Sequence, residues 1–544
     1  MNHAERATPL PGGPARWREI AWLALTCAVA FVLRWPFLNM PMIADEGGYA
    51  YATRAWLDGT GQLYGDVWIS RPQGIFYLYA LIFETLGTDT VAFRLAAWLS
   101  ICGTAVAVWL VARRWRPAPV AAVAAMLFVI VSGAPNLEGY TANAEMFMIL
   151  PSAWSVWTLI RGIETRWAHH WVYLTGVLIG VATVLKPSGF VMLPIAIFAI
   201  LITTRARGET GRVPVGWLLA GLATIGIPAL IHGWVLGWGD FLYATVTYRL
   251  TLQSSATVGI SHHLASIGRL ALRLLPLLIL VTCVTLIAHR RQVTDTIGAI
   301  PCWLRSGPVR RWRGRASTAL AHAGEPPALR HVEVPADEVG MVLRLWVLAS
   351  LAGIAMGGDW WAHYAIQIAP PFAIWFAGML VATFAAARRW LRWLIVVGSV
   401  AVVLSPWWVV TLGSTEAMSN RLFAHPGYQA QDEIAAWLRD NSAPGTPIFV
   451  AFDQAAIYYL ADRPPAYRHL YDQELRALPE SYSEIISIIR SPERPLYIVS
   501  TRQPGPYPDD SRTFWQEVGK YYELETMIDD IPIYRARDYT PPAP

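Results

Sequence analysis

Residues 17–59 read WREIAWLALTCAVAFVLRWPFLNMPMIADEGGYAYATRAWLDG, and this stretch decides the class of fold. Its first part, 17–37, is mostly apolar over about 20 residues, the length needed to cross about 30 Å of hydrocarbon. The chain then turns back towards water and places two neighbouring carboxylates, Asp45 and Glu46, beside the predicted membrane span. Charge this close to hydrocarbon is costly unless it faces water, a partner or a substrate. The acidic pair is therefore a candidate functional site.

The composition of the whole chain agrees with a membrane protein. Of its 544 residues, 55% are hydrophobic and only 15% are charged, whereas a soluble domain averages about 25% charged residues. The net charge of +5 is small and lies largely in short loops beside apolar segments, which argues against nucleic-acid binding. The four cysteines show neither a disulfide framework nor a zinc-binding spacing.

About eleven apolar segments are long enough to be membrane spans, and the tail after them differs in composition. The segment 75–87 is apolar but short, and it predicts a helix at the membrane interface. Residues 413–544 are charged and rich in Pro and Tyr, and their alternating helix-like and strand-like runs predict a small α/β domain outside the membrane. The predicted fold is a polytopic α-helical membrane domain, residues 1–412, followed by this domain. The predicted spans are 17–38, 93–112, 118–135, 145–161, 171–186, 188–204, 215–236, 267–288, 341–357, 365–386 and 392–412.

Basic residues in the loops predict the orientation of these spans. Arginines cluster before the first predicted span and after each even-numbered one, with the longest basic loop at 289–340. All these clusters lie on one side if the N-terminus is cytoplasmic, as the positive-inside rule requires. The opposite loops are poor in Arg, and the first of them, 39–92, carries the acidic pair. We expect a multi-pass protein of the bacterial plasma membrane, with its C-terminal domain outside the cytoplasm.

Two further acids are expected on the same side as Asp45 and Glu46. Glu138 and Glu145 lie in NLEGYTANAEMFMILP, residues 136–151, between the third and fourth predicted spans. A carboxylate can deprotonate an attacking hydroxyl group, so these acids are candidates for general-base chemistry. A structural alternative stays open for the pair Asp45-Glu46 and for Glu145, because acidic side chains are also favoured in the first turn of a helix.

Candidate anion-binding residues lie in three further segments. Arg71 in WISRPQG and Lys186 in VLKPSG are cations close to predicted spans, and both suit a phosphate group. His363, followed by Tyr364 in AHYAIQIAPP, can bind a phosphate oxygen or act in proton transfer. The alternatives are a basic side chain that snorkels to the interface and an aromatic belt with an incidental histidine.

Outward carboxylates and membrane-proximal cations together suit one kind of reaction. A carboxylate can activate a hydroxyl acceptor, and the cations can stabilise a departing phosphate, so the pattern favours transfer from a lipid-phosphate donor. The main alternative is a transporter or flippase of a lipid-linked saccharide, in which the same charges line a path. Another membrane transferase, for phosphoethanolamine or acyl groups, is a further alternative. A divalent metal held by Asp45, Glu46 and His363 is chemically possible, but the spacing does not indicate one.

Four stretches of the chain resemble motifs of the GT-C superfamily of membrane glycosyltransferases. The most similar branch contains protein O-mannosyltransferases, the aminoarabinose transferase of lipid A and bacterial glycosyltransferase family 39 relatives. One departure is Gln73, which stands where the family often has a second Pro. The resembling stretches are ADEGGYAYATRAWLDG (44–59, the D-E loop), SRPQGIFYLYALIFETLG (70–87, K/R-P-P-L-x-Y), GVLIGVATVLKPSGFVMLP (176–194, G-x-x-x-G…K-P-x-G) and AHYAIQIAPPFAI (362–374, H-Y…P).

This resemblance implies a role for each candidate residue. Asp45 would be the base that activates the acceptor hydroxyl in an inverting displacement, assisted by Glu46 and by Glu138 or Glu145. The donor would be a polyprenyl-phosphate monosaccharide, and the acceptor a hydroxyl of an envelope glycan, lipid or protein. The resemblance implies no sugar nucleotide and no obligate metal. The residues expected to bind the donor phosphate are Arg71, Lys186, His363 and Tyr364.

Overall fold

The membrane domain is a bundle of long apolar helices. The computed structural model describes residues 14–248, 250, 260–304, 336–358, 360–423, 426–451, 454–478, 480–501 and 509–539. Within these residues, nine helices are long and apolar enough to cross a membrane, so the predicted polytopic α-helical fold is confirmed. With the shorter ones included, the described α-helices of this domain are α1 (Pro14–Arg34), α2 (Ala44–Leu57), α3 (Gly74–Thr85), α4 (Thr90–Trp115), α5 (Ala118–Gly133), α6 (Ala144–Glu164), α7 (His169–Leu185), α8 (Met192–Ala206), α9 (Arg212–Val235), α10 (Trp238–Leu242), α11 (Ile260–Leu304), α12 (Ala336–Ala355), α13 (Ala369–Ala386) and α14 (Arg389–Thr411).

The helices follow the predicted spans closely, with two differences. Helices α5 and α7 lie at predicted spans 118–135 and 171–186, but they are among the shorter apolar helices, so the number of eleven spans stays a prediction. Helix α11 continues to Leu304, which is beyond the predicted end of its span. It thereby enters the predicted basic loop 289–340, of which residues 305–335 lie outside the described residues. Helix α3 takes the place of the predicted interfacial segment 75–87.

Small residues let the helices around α7 pack with their backbones in contact. A Cβ atom on Gly176 would lie 2.0 Å from the carbonyl oxygen of Leu218, and one on Gly180 would lie 2.8 Å from the Ile225 side chain. Both glycines belong to the G-x-x-x-G part of the sequence motif, and they face α9. Small residues at this spacing let two helices approach closely. In lipid, where no hydrophobic force drives helices together, van der Waals packing of this kind holds them. This packing fixes the end of α7, where Lys186 follows directly.

The C-terminal domain is a small α/β unit, as the sequence predicts. Its four-stranded sheet has the order β1-β2-β4-β3, in which β1 and β2 are parallel and the other pairs are antiparallel. The two predicted strand-like runs form β1 and β2, whereas the β3–β4 hairpin was not anticipated. The elements are α15 (Thr415–Leu422), α16 (Pro426–Gln429), α17 (Gln431–Asp440), β1 (Ile448–Ala451), α18 (Ala456–Ala461), α19 (Asp472–Ala477), α20 (Ser481–Arg490), β2 (Tyr497–Ser500), α21 (Asp509–Tyr521), β3 (Tyr522–Ile528) and β4 (Ile531–Ala536).

The C-terminal domain packs directly against the helix that carries the acidic pair. A Cβ atom on Gly47 of α2 would lie 2.2 Å from the Cα atom of Ala456 at the start of α18, so the two helices touch through their backbones. Further along α2, the Arg54 guanidinium donates a hydrogen bond of 2.7 Å to the carbonyl oxygen of Tyr459. Gly47 therefore allows α2 and α18 to pack closely, because the side chain of any larger residue would push the C-terminal domain away from α2.

Candidate active site

The two neighbouring acids lie in the first turn of α2. The helix begins after Ile43, whose backbone N–H donates a 3.0 Å hydrogen bond to Oε2 of Glu46. This bond caps the helix, and negative charge is favoured at a helix N-terminus. The structural alternative noted for the acidic pair thus describes one contact of Glu46, and the two acids have different surroundings.

Glu46 is completely buried and fully engaged by its neighbours. Its carboxylate accepts two hydrogen bonds from Arg94, at 3.0 and 3.2 Å, and a third of 2.6 Å from the backbone N–H of Ala142. These contacts join α2, α4 and the loop that carries Glu138. The catalytic role expected for Glu46 stays a prediction, and its contacts favour a positioning role.

Arg94 is a site residue that the sequence reasoning missed. It is 1% exposed and donates hydrogen bonds to the carbonyl oxygens of Phe37, Met40 and Pro41, at 2.5, 2.8 and 2.8 Å, besides its pair with Glu46. It therefore fixes the turn by which the chain leaves α1 and reaches the acidic pair. A usable signal was present, since an Arg inside the predicted span 93–112 marks a functional or structural partner.

Arg94→Met is expected to destabilise the protein by about 3–5 kcal/mol, because it leaves the Glu46 carboxylate buried without its counter-charge. The measurement is the midpoint of thermal unfolding in detergent. A matched control is Arg113→Met on the same helix, whose ion pair with Glu19 is partly exposed and should contribute less than about 1 kcal/mol. Equal midpoints for the two variants would contradict the role assigned to Arg94.

Asp45 is the accessible member of the acidic pair. Its side chain is 25% exposed, and its Oδ2 atom lies 3.7 Å from Nη2 of the buried Arg71. The Arg71 guanidinium also donates hydrogen bonds to the Tyr49 hydroxyl at 2.9 Å and to the Ser70 carbonyl oxygen at 3.1 Å. Burial acts to lower the pKa of Arg71, but Tyr49 and Asp45 outweigh it and raise the pKa, so the cation is retained.

The other predicted residues form a second cluster of alternating charge. Nδ1 of His363 lies 2.7 Å from Glu138 and its Nε2 lies 3.8 Å from Glu145. Lys186 forms an ion pair with Glu145, and its ammonium group lies 4.0 Å from the centre of the Tyr364 ring. The structure thus brings these five residues together and gives His363 two carboxylate neighbours. Its expected contact with a phosphate stays a prediction.

Glu138 has an unusual backbone and an ionised side chain. Its φ of 56° lies in the left-handed region, which is uncommon for residues with a side chain and often marks functional sites. Burial acts to raise the pKa of Glu138, but His363 and Arg273 outweigh burial and hold that pKa below its usual value. Its carboxylate, 28% exposed and 3.5 Å from Arg273, is therefore available as an acceptor.

The two clusters adjoin each other. The negative charge of Asp45 acts to raise the pKa of Glu138, and Tyr364 acts to raise the pKa of Arg71. Glu46 follows Asp45 in the first turn of α2 and is joined to the loop of Glu138 through the backbone N–H of Ala142. Within the described residues, no group of three or more His, Cys, Asp or Glu side chains is placed to hold a metal ion. Together the two clusters consist of Asp45, Arg71, Tyr364, Lys186, Glu145, His363 and Glu138.

Comparisons with known proteins agree with this architecture. Residues 70–232 match the family model described as dolichyl-phosphate-mannose-protein mannosyltransferase. The structure of ArnT from Cupriavidus metallidurans bound to undecaprenyl phosphate is similar, with a TM-score of 0.58 and 14% identity over 96% of this chain and 99% of that chain. No curated protein sequence matches the chain.

A second similar structure comes from an archaeon. It is the oligosaccharyltransferase AglB from Archaeoglobus fulgidus in complex with an inhibitory peptide and a dolichol-phosphate, with a TM-score of 0.51 and 12% identity over 89% of this chain and 69% of that chain. At sequence identities of 12–14%, these structural similarities show that the fold is shared. The matched family segment, 70–232, contains Arg71, Glu138, Glu145 and Lys186.

Proposed function

Because the chain has the GT-C fold of membrane glycosyltransferases, we propose that it transfers a sugar from a polyprenyl-phosphate donor to a hydroxyl acceptor. The acceptor belongs to a glycan, a lipid or a protein at the outer face of the plasma membrane. The N-terminus then lies in the cytoplasm and the C-terminal domain outside it. The similar ArnT and AglB structures contain undecaprenyl phosphate and dolichol-phosphate, which supports a lipid-linked donor for this chain.

One observation carries the proposal: an accessible carboxylate lies beside one buried cation, and a second buried cation belongs to the neighbouring cluster. Asp45 is 25% exposed, whereas the side chains of Arg71 and Lys186 are each only 8% exposed. A buried cation is costly unless an anion balances it; Asp45 and Glu145 balance these two in the structure, and the donor phosphate is an anion that can take their place. The arrangement therefore suits an acceptor that arrives from water and a leaving group that stays in the lipid.

The chemistry follows from these positions. Asp45 takes the proton of the acceptor hydroxyl, and the oxygen attacks C1 of the donor sugar as the bond from C1 to the phosphate oxygen breaks. The electron pair of that bond stays on the phosphate, and the polyprenyl phosphate leaves. Arg71 and Lys186 stabilise the charge that develops on the leaving oxygen. A single displacement of this kind inverts the configuration at C1.

Donor binding also prepares the base. In the structure Arg71 lies beside Asp45, and Lys186 pairs with Glu145. A phosphate that binds to these cations competes with both carboxylates, so Asp45 becomes free to accept a proton from the acceptor. His363 and Tyr364 then complete the phosphate site, Glu138 assists Asp45 on the acceptor side, and Glu46 positions α2 through Arg94. No divalent metal is required for these steps.

Reconstituted vesicles test this proposal directly. The purified protein in liposomes, supplied with polyprenyl-phosphate monosaccharides and envelope lipid or glycan acceptors, is expected to form a glycosidic bond and release polyprenyl phosphate. Mass spectrometry of the products identifies the sugar and the acceptor. Movement of the intact lipid-linked sugar between leaflets without glycosidic-bond formation would instead establish the transporter alternative and overturn the proposal.

A further inference from the structure

We infer that Tyr471 of the C-terminal domain is a substrate-contacting residue of this site, and that its hydroxyl donates a hydrogen bond to the donor phosphate. The inference rests on the proposed function and deepens it, because it makes the C-terminal domain a part of the donor site. Tyr471 lies 426 positions from Asp45 in the chain, and nothing in its local sequence indicates this role.

A connecting segment, residues 464–471, carries Tyr471 to the membrane domain. At its start, Ile448 of β1 donates a 2.9 Å hydrogen bond to the Pro464 carbonyl oxygen. Further on, the backbone N–H of the buried Trp68 donates a 3.0 Å bond to the Arg468 carbonyl oxygen. The segment is thus held at one end by the sheet and at the other by the first loop of the membrane domain, so the position of Tyr471 is fixed by both domains.

The absence of a side chain at position 48 makes room for the Tyr471 hydroxyl. A Cβ atom on Gly48 would lie 1.9 Å from that hydroxyl oxygen, so the ring of Tyr471 reaches the surface of α2 there. On a helix, positions i, i+3 and i+4 share one face. Asp45, Gly48 and Tyr49 have this spacing, and the hydroxyl therefore sits on the face of α2 that carries the proposed base.

The Tyr471 hydroxyl is a buried hydrogen-bond donor. Its oxygen is shielded from solvent, and no hydrogen-bond partner for it lies among the described residues. Burial and the nearby Asp45 raise the pKa of Tyr471 well above its usual value, so the group stays protonated and can donate. Buried polar groups are nearly always paired in folded proteins, and an unpaired one beside a proposed active site indicates a ligand.

The neighbours of the hydroxyl identify the chemistry of that ligand. Asp45, Tyr49, Glu474 and Arg71 all act electrostatically on Tyr471, and the protonated hydroxyl and the Arg71 guanidinium are both hydrogen-bond donors. A group that satisfies both must be an acceptor, and an anion satisfies Arg71 best. The phosphate of the lipid-linked donor is the anion that the proposed reaction brings to this place.

The test compares Tyr471→Phe with wild-type protein in lipid nanodiscs, using undecaprenyl phosphate as the probe and undecaprenol as its uncharged analogue. We expect the variant to bind undecaprenyl phosphate about 10- to 100-fold more weakly, the usual range for one hydrogen bond to a charged group. Affinity for undecaprenol should not change. The thermal midpoint should stay equal or rise, because the change removes an unpaired buried hydroxyl, and this combination excludes a merely structural role.

A matched control and a second variant complete the test. Tyr497→Phe removes a hydroxyl that bonds to the Asn441 carbonyl oxygen within the C-terminal domain, and it should leave phosphate affinity unchanged. Gly48→Ala should displace Tyr471 and weaken binding by a similar factor. Wild-type affinity in Tyr471→Phe would overturn the inference and leave the proposed function intact. A wild-type protein that does not distinguish undecaprenyl phosphate from undecaprenol would overturn both.

Discussion

Asp45→Asn is expected to lower the rate of sugar transfer by at least about 10²-fold, the low end for loss of a general base. Asparagine keeps the size and hydrogen-bonding shape of the side chain but cannot accept the proton of the acceptor hydroxyl. The loss should appear in kcat rather than in donor affinity. Arg71, which lies 3.7 Å from Asp45, keeps its charge and loses a competing carboxylate, so the affinity for undecaprenyl phosphate should stay equal or increase.

The control for this variant lies at the other end of the same helix, directly after its last residue. Asp58 follows the last turn of α2 and is exposed, and Asp58→Asn should leave transfer within about twofold of wild type. Both variants are first checked for membrane insertion and for unchanged thermal midpoints. Near wild-type transfer by a correctly inserted Asp45→Asn protein would show that Asp45 is not the base. The same loss in Asp58→Asn would show that the effect is not specific to the site.

The membrane part of the fold could be predicted because its physics is local. A helix in lipid needs about 20 apolar residues and satisfies its own backbone hydrogen bonds, so composition located the nine long apolar helices among the described residues. Helices α5 and α7, with 16 and 17 residues, are shorter than this simple rule requires. In the C-terminal domain, β1 and β2 were visible as short apolar runs, whereas β3 carries exposed residues at its edge and gave no such signal.

The site was harder to predict because its contacts are distant in sequence. The sequence placed Asp45 and Glu46 side by side but could not show that Arg94 forms its ion pair with Glu46 alone. It also identified His363 and Glu138 as separate candidates, although they are in contact across 225 positions. Tyr471 could not be found at all, because its importance depends on how the C-terminal domain packs over Gly48. Residue type and the predicted side of the membrane suggested which residues form the site. Only the structure shows which of them contact each other.

Lys186→Gln is expected to lower transfer by about 10²- to 10³-fold, the range seen when one group that stabilises developing negative charge is removed. The cation lies at the C-terminal end of α7, 4.0 Å from the centre of the Tyr364 ring, with its charge next to Glu145. Unlike the Asp45 variant, Lys186→Gln should also lose about 10- to 100-fold in affinity for undecaprenyl phosphate, since a charge-assisted hydrogen bond is lost.

The loss of transfer and affinity in Lys186→Gln also has a structural explanation, because this variant leaves Glu145 buried without its cation. The two explanations must be separated. Glu145→Gln and the double variant make that separation. If Lys186 serves only to neutralise Glu145, the double variant should recover phosphate affinity. If Lys186 binds the phosphate, the double variant stays weak, while Glu145→Gln alone binds undecaprenyl phosphate at least as tightly as wild type because a competing anion is gone. Lys520→Gln changes the other lysine of the chain, which is exposed beside Glu517, and should alter neither transfer nor affinity. The opposite signs expected for Lys186→Gln and Glu145→Gln follow from their places in one ion pair, and only a phosphate that competes for that pair produces them.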